Sequence, residues 1–204
     1  MYAGKIFNFI GLNDTILIKF LADILFMAFI VFIYRNNLKE DLKFFKKTSI
    51  KKIIMLVLLW VIRLFGANII CGIITDIISP GYNSDENTEA VYNLYSISTW
   101  YTIFKIMIFG TLAEEILYRE SIRDNVKNPL LFVIISSVVY TFLNVFFAGV
   151  SEGFEIISIL LYLTPAVICS IAYLKFDNNI LIVSLIKFIY NLIPLTVLLL
   201  GLGG

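Results

Sequence analysis

Ala113-Glu114-Glu115-Ile116-Leu117-Tyr118-Arg119 sets two adjacent carboxylates and an arginine at the end of an apolar run that begins near Trp100. Ionisable groups inside a membrane-length helix are costly, so their presence points to function. On a helix Glu115 and Arg119 stand four apart with the acid first, the favourable order for a pair. Glu114 lies about 100° round the helix from Glu115. Arg119 is thus expected to hold one acid and leave the other free.

The surrounding composition explains why such a run exists. Of the 204 residues, 60% are hydrophobic and 15% charged, whereas soluble domains carry about a quarter charged residues. That excludes an ordinary soluble domain, and the length fits a single membrane domain over residues 1–204. A net charge of +1 implies no nucleic acid as partner. Cys71 and Cys169 lie in separate apolar runs and read as small buried hydrophobes. The sequence has no histidine, and without histidine or a cysteine cluster no metal or other cofactor is expected.

Apolar runs near residues 15–34, 53–79, 98–124, 130–150, 154–173 and 180–200 approach or exceed the roughly 20 residues that cross a bilayer. Pro80-Gly81, Asn128-Pro129 and the turn Asp177-Asn178-Asn179 separate several of them. The first run has no basic leader or small-residue cleavage site, so it reads as a retained helix rather than a signal peptide. After it come Arg35, Lys39, Lys43, Lys46, Lys47, Lys51 and Lys52, with Leu38, Leu42 and Phe45 at amphipathic spacing. This segment reads as an interfacial helix drawn to anionic lipid. Arg119, Arg123, Lys127 and Lys175 fall in the later loops of the same side, while the acidic stretch 81–98 has no Lys or Arg. The positive-inside rule then gives an all-α polytopic bundle of about six transmembrane helices in the cell membrane, with both termini outside.

Other polar residues stand inside these runs. Lys19 and Asp23 are four apart and are expected to pair or reach towards the interface. Arg63, near the middle of the second run, requires an acceptor on another helix. In the fourth run Ser136, Ser137, Tyr140 and Asn144 share a face, and in the sixth Lys187 and Asn191 do. At about 1.5 Å rise per residue, Glu114, Lys187, Asn191 and Asn144 lie roughly 11–21 Å from the inner ends of their helices. They are expected to line one polar cavity, with Lys187 paired to Glu114 or Glu115.

These motifs resemble those of the CPBP or Abi family of intramembrane proteases, which includes the type II CAAX prenyl endopeptidases. Glu114, Glu115 and Arg119 match the family's Glu-Glu-x-x-x-Arg. Ser136 to Asn144 fits its Phe-x-x-x-His frame, with Tyr140 for Phe and Asn144 for His. Lys187 to Asn191 fits His-x-x-x-Asn, with Lys187 for His. The resemblance covers about residues 80–195 and implies Glu114, Glu115, Arg119, Asn144, Lys187 and Asn191 as the catalytic positions.

In the family, the acids and histidines are thought to activate a water for peptide-bond attack. That step needs a group that takes and returns a proton near neutral pH. Asn144 cannot do so, and carboxylate neighbours hold Lys187 in its charged form. Three functions are compatible with this pattern. The first is a non-catalytic member that binds or scaffolds a membrane protein or peptide partner, as in bacteriocin immunity. The second is a working endopeptidase with a glutamate base, Lys187 and Asn144 stabilising the oxyanion. The third is a transporter or channel using Arg63, Lys105 and the Glu pair. No inverted repeat of the kind common in transporters is evident.

Overall fold

The computed structural model describes residues 14–78, 93–149 and 158–200. The expected short N-terminal start, most of the acidic outer loop, the turn near residues 149–153 and the C-terminal end fall outside the described residues. What is described is helical throughout. Helix α1 is Asp14–Ile33, α2 Arg35–Lys47 and α3 Ile50–Ile78. A short turn of helix at 93–97 leads into α4, residues 99–125. Helices α5 (Pro129–Gly149), α6 (Ser158–Lys175) and α7 (Ile180–Leu199) complete the bundle.

Local chemistry sets the helix boundaries. Ser98 caps α4, its side chain accepting from Tyr101 N–H. Asn128 Oδ1 accepts from Leu130 and Leu131 N–H at 2.9 and 3.1 Å, and Pro129 occupies the first helical position, where its missing N–H costs nothing. Before α7, Asp177 and Asn178 take positive φ of 55° and 62°, a region that short polar side chains tolerate better than most. Asn179 then caps α7 through Ile182 N–H at 3.0 Å.

Helix α6 packs along both α3 and α5, and α7 lies against α3 and α4. The main core joins Trp60 and Leu64 of α3, Ile116 of α4, Phe132 of α5, Tyr173 of α6 and Ile180 and Ile186 of α7. The outward faces are also apolar: Leu25, Phe29, Ile62, Ile69 and Ile77 are all more than half exposed. So large an apolar surface is foreign to soluble monomers and suits lipid. Three helices are long and apolar enough to cross a membrane, over Ile16–Ile33, Ile50–Ile78 and Ile180–Leu199, and shorter apolar helices cover Pro129–Val145 and Ile159–Lys175.

Two expected partnerships are replaced. Asp23 does not pair with Lys19, which is exposed. It binds Lys105 Nζ at 2.9 Å and accepts from Tyr101 Oη at 2.8 Å, joining α1 to α4 because a partly buried acid is better held by cations and donors on a facing helix than along its own exposed flank. Arg63 is exposed and lies over the Trp60 ring, 4.7 Å from its centroid. It makes no ion pair among the described residues, since its position on the outer face of α3 offers aromatic contact instead.

Helix α2 is amphipathic, as its spacing predicts. Leu38, Phe44 and Phe45 pack on the core, while Leu42 is half exposed. Polar residues on the inner face also bind the bundle. Asn37 Nδ2 donates to Glu120 Oε1 at 2.5 Å. Asp41 Oδ2 accepts from Ile180 N–H at 2.8 Å, and Asn179 Nδ2 donates to Asp41 O at 3.1 Å. An acid at a helix N-terminus is favourable.

Burial pushes the Asp41 carboxyl up to about 6, against the lowering effect of the Ile180 N–H. The folded value lies above the unfolded one, so the folded chain takes up a proton between about pH 4 and pH 6. The associated stability is complete below about pH 4 and is lost as pH rises through about 6. Asp41→Asn keeps an acceptor for Ile180 and removes the charge. We expect it to raise the thermal midpoint of the purified protein above about pH 6 and to leave it unchanged near pH 4. A variant no more stable than the parent at about pH 8 would contradict this reading of Asp41.

Candidate functional site

Helix α4 carries the acids, and its winding departs from the α form. Phe104–Ala113 and Ile116–Glu120 are π-helical, with Glu114 N–H bonded to Phe109 O and Ser121 N–H to Ile116 O. Such i→i+5 segments are rare and often fall at functional sites. The 3.6-residue period therefore does not predict how the acids are turned relative to the start of α4. Gly110 lies within the wide turn. A Cβ there would stand 3.1 Å from Lys105 O, tighter than ordinary contact, so glycine eases the close approach to that carbonyl in the π-helical turn.

The centre of the site is a four-charge cluster. Arg119 Nη1 binds Glu115 Oε1 at 3.1 Å, the i,i+4 pair expected from the sequence. Lys187 Nζ of α7 lies 3.0 Å from the same Glu115 oxygen and 3.2 Å from Glu114 Oε2. Glu114 is therefore not left free, contrary to the expectation drawn from its place round the helix. Lys187 approaches from the facing helix and spans both acids. The side chains of Glu115 and Arg119 are 0% and 1% exposed. At that depth charges persist only when paired, and here two cations balance two anions.

The rest of the shell orients the cations. Arg119 Nη2 donates to Ala166 O at 3.4 Å. The Tyr140 ring lies under both Arg119, at 4.9 Å, and Lys187, at 5.0 Å from its centroid. Tyr118 packs edge-on against Tyr140. Ser136 Oγ donates to Tyr118 O at 2.7 Å and meets Ser170 Oγ at 3.0 Å, which ties α4, α5 and α6 together behind the cluster. Glu115 Oε2 and Arg119 Nε are buried without hydrogen-bond partners among the described residues.

Not all the expected residues meet. A cavity of about 360 Å³ is lined by Phe26, Lys105, Phe109, Glu114, Leu117, Tyr118, Leu143 and Asn144. Glu114 and Asn144 thus share it as expected. Lys187, although 3.2 Å from Glu114 Oε2, is not part of the cavity lining. Asn191 is also absent from it, since Nδ2 donates to Ile106 O at 3.3 Å on the π-helical stretch. Asn144 Nδ2 turns back to Tyr140 O at 2.8 Å, a bond within its own helix. Sequence reasoning placed Tyr140 on this face but missed its role beneath two cations. It also missed Glu120, which accepts from Asn37 and, at 2.6 Å, from Tyr173 Oη. The signal for Glu120 was present, since a third acid directly follows Arg119 in the apolar run.

Charge balance makes a testable demand. Lys187→Met leaves two carboxylates against one guanidinium, and removing one partner of a buried pair costs about 3–5 kcal/mol. Glu114→Gln on that background restores neutrality around Glu115 and Arg119. The double variant is expected to melt above Lys187→Met in the same detergent. If it melts lower, the four groups do not act as one balanced cluster.

No curated protein and no solved structure matches the chain. Residues 96–193, which hold α4 to most of α7 and every member of the cluster, match the family described as type II CAAX prenyl endopeptidase Rce1-like. Over this segment, just under half of the chain, the protein is similar to the Rce1-like, CPBP/Abi-type family of membrane CAAX protease-like proteins.

Proposed function

We propose that this protein is a non-catalytic member of its family that acts by binding a membrane protein or peptide, as a scaffold or in bacteriocin-type immunity. The observation that carries the reading is Lys187 Nζ at 3.0 and 3.2 Å from the two carboxylates. The resemblance puts a water-handling histidine at that position. An ammonium donating to two acids has no lone pair with which to accept a proton from water. Its charge also occupies the acids that would otherwise polarise the nucleophile. The retained ion cluster then serves to hold α4 and α7 in register, and the cavity beside it supplies a binding surface.

In this reading the chain is a multi-pass protein of the cell membrane with about six spans, both termini outside and the basic loops in the cytoplasm. The distribution of Lys and Arg supports that orientation. The bilayer is its solvent, and the apolar lining residues Phe26, Phe109, Leu117 and Leu143 suit an apolar segment of a partner.

One observation favours an alternative. Glu114 faces the cavity together with Asn144, and its side chain is 24% exposed. A water there could be activated by Glu114, with Lys187 and Asn144 steadying the developing oxyanion. Hydrolysis of a prenylated CAAX peptide by the reconstituted protein separates the two readings. We expect peptide to bind and the rate to equal that of Glu114→Gln. Cleavage that Glu114→Gln abolishes, in a variant that still inserts and folds, would establish the glutamate-dependent endopeptidase instead.

A further inference from the structure

Helix α2 divides its residues by angle. At about 100° per residue, Asn37, Leu38, Asp41, Phe44 and Phe45 fall on one side, and that side is held to the bundle by the core and by bonds to Glu120, Asn179 and Ile180. Arg35, Lys39, Lys43 and Lys47 follow at steps of four along the opposite side, with Lys46 between them. Together they occupy an arc of about 120°. Each is exposed, as are Lys51 and Lys52 at the start of α3. Among the acids of α2, Glu40 is exposed near the edge of this arc, whereas Asp41 is turned inward to Ile180. None of the lysines on the stripe forms an ion pair among the described residues.

The geometry points to the outer face of α2 as a binding site for anionic phospholipid headgroups. A row of unneutralised cations on a helix lying between two membrane spans meets the headgroup layer directly, where basic residues attract anionic lipid. Leu42, half exposed beside the stripe, lies where it can enter the acyl boundary. Arg35 is steadied by Phe32, with its guanidinium 4.3 Å from the ring centroid and Nη1 donating to Phe32 O at 3.3 Å. What distinguishes this face from a merely basic loop is its rigid mounting. The inner side of α2 is fixed to α4 through Asn37 and to the start of α7 through Asp41, so the backbone positions that carry the cations keep a constant spacing without a ligand. A phosphate diester on a lipid can be held by neighbouring lysines of such a row, and lipids along the row can be held side by side. This reading rests on α2 alone and does not depend on whether the four-charge cluster catalyses.

The test reconstitutes the full chain in bilayers of phosphatidylglycerol and phosphatidylcholine, extracts it in mild detergent and measures the phospholipid retained per chain by mass spectrometry. Phosphatidylglycerol is expected to be enriched several-fold over its share of the bilayer, and high salt in the wash should reduce the enrichment by screening. The triple variant Lys39→Gln, Lys43→Gln, Lys46→Gln alters only exposed side chains and is expected to retain lipid in the proportions of the bilayer. Lys127→Gln with Lys175→Gln, exposed positions off the stripe, should keep the enrichment. Soluble glycerol phosphate added at extraction should not displace the lipid, which separates a membrane site from a free-phosphate site. Retained lipid that mirrors the bilayer in the parent chain overturns the proposal, as does a triple variant as enriched as the parent, loss of enrichment in the Lys127/Lys175 control, or displacement by glycerol phosphate.

Discussion

Two carboxylates on one helix are held by two cations, one from the same helix and one from a facing helix, and the arrangement of the bundle depends on that balance. Glu115 and Arg119 are almost fully enclosed. Neither could be buried alone without a penalty of several kcal/mol. Arg119 neutralises one charge and Lys187 the other, so α7 must lie against α4 wherever the cluster is intact. The serines and tyrosines behind it do less electrostatic work. They fill the space around Glu115 and Arg119, as in the contact of Ser136 with Ser170 and the edge-on packing of Tyr118 against Tyr140.

The cluster also explains why an altered winding of α4 can persist. A π-helical stretch forfeits good α-type hydrogen bonding and is seldom long. Here Asn191 donates to Ile106 O within that stretch, and Asp23 grips Lys105 one residue earlier. Contacts from α1 and α7 thus support the segment from two sides. The acids at its end meet Lys187. The local departure from the α form and the charge pairing are consistent with each other, because the position of Glu114 and Glu115 relative to α7 follows from the winding before them.

Much of this was legible in the sequence. The order of the apolar runs, the Asn128-Pro129 break and the turn before α7 follow from residue chemistry that acts locally. The pairing of Lys187 with the glutamates was legible for a different reason: a lysine in an apolar helix needs an acid, and few acids were available. The failures lie where several partners were equally plausible or where helical phase mattered. Asp23 had Lys19 four residues away and Lys105 far along the chain, and only the packing of α1 on α4 decides between them. Arg63 was assigned an acid because a central arginine is costly, yet it lies on an outer face over Trp60. Asn191 fell out of the cavity because its angle to α4 depends on π-helical winding, which leaves no mark in hydrophobic periodicity.

The replacements at the two motif positions are best understood together. A lysine where the family pattern has a histidine sets an ammonium between two glutamates, at a site that already holds Arg119. Such a site has two cations and two anions and is electrically complete without a bound water or a proton in transit. A histidine there could be neutral or charged, so the same acids could exchange protons with a substrate or solvent. Asn144 removes the second proton-exchanging group, and its amide bonds back to Tyr140 O within its own helix. In the proposed reading both differences act in one direction, from a site that moves protons to one that holds still. The cavity on the open side of Glu114 survives them, which is why binding is the activity that this arrangement best supports.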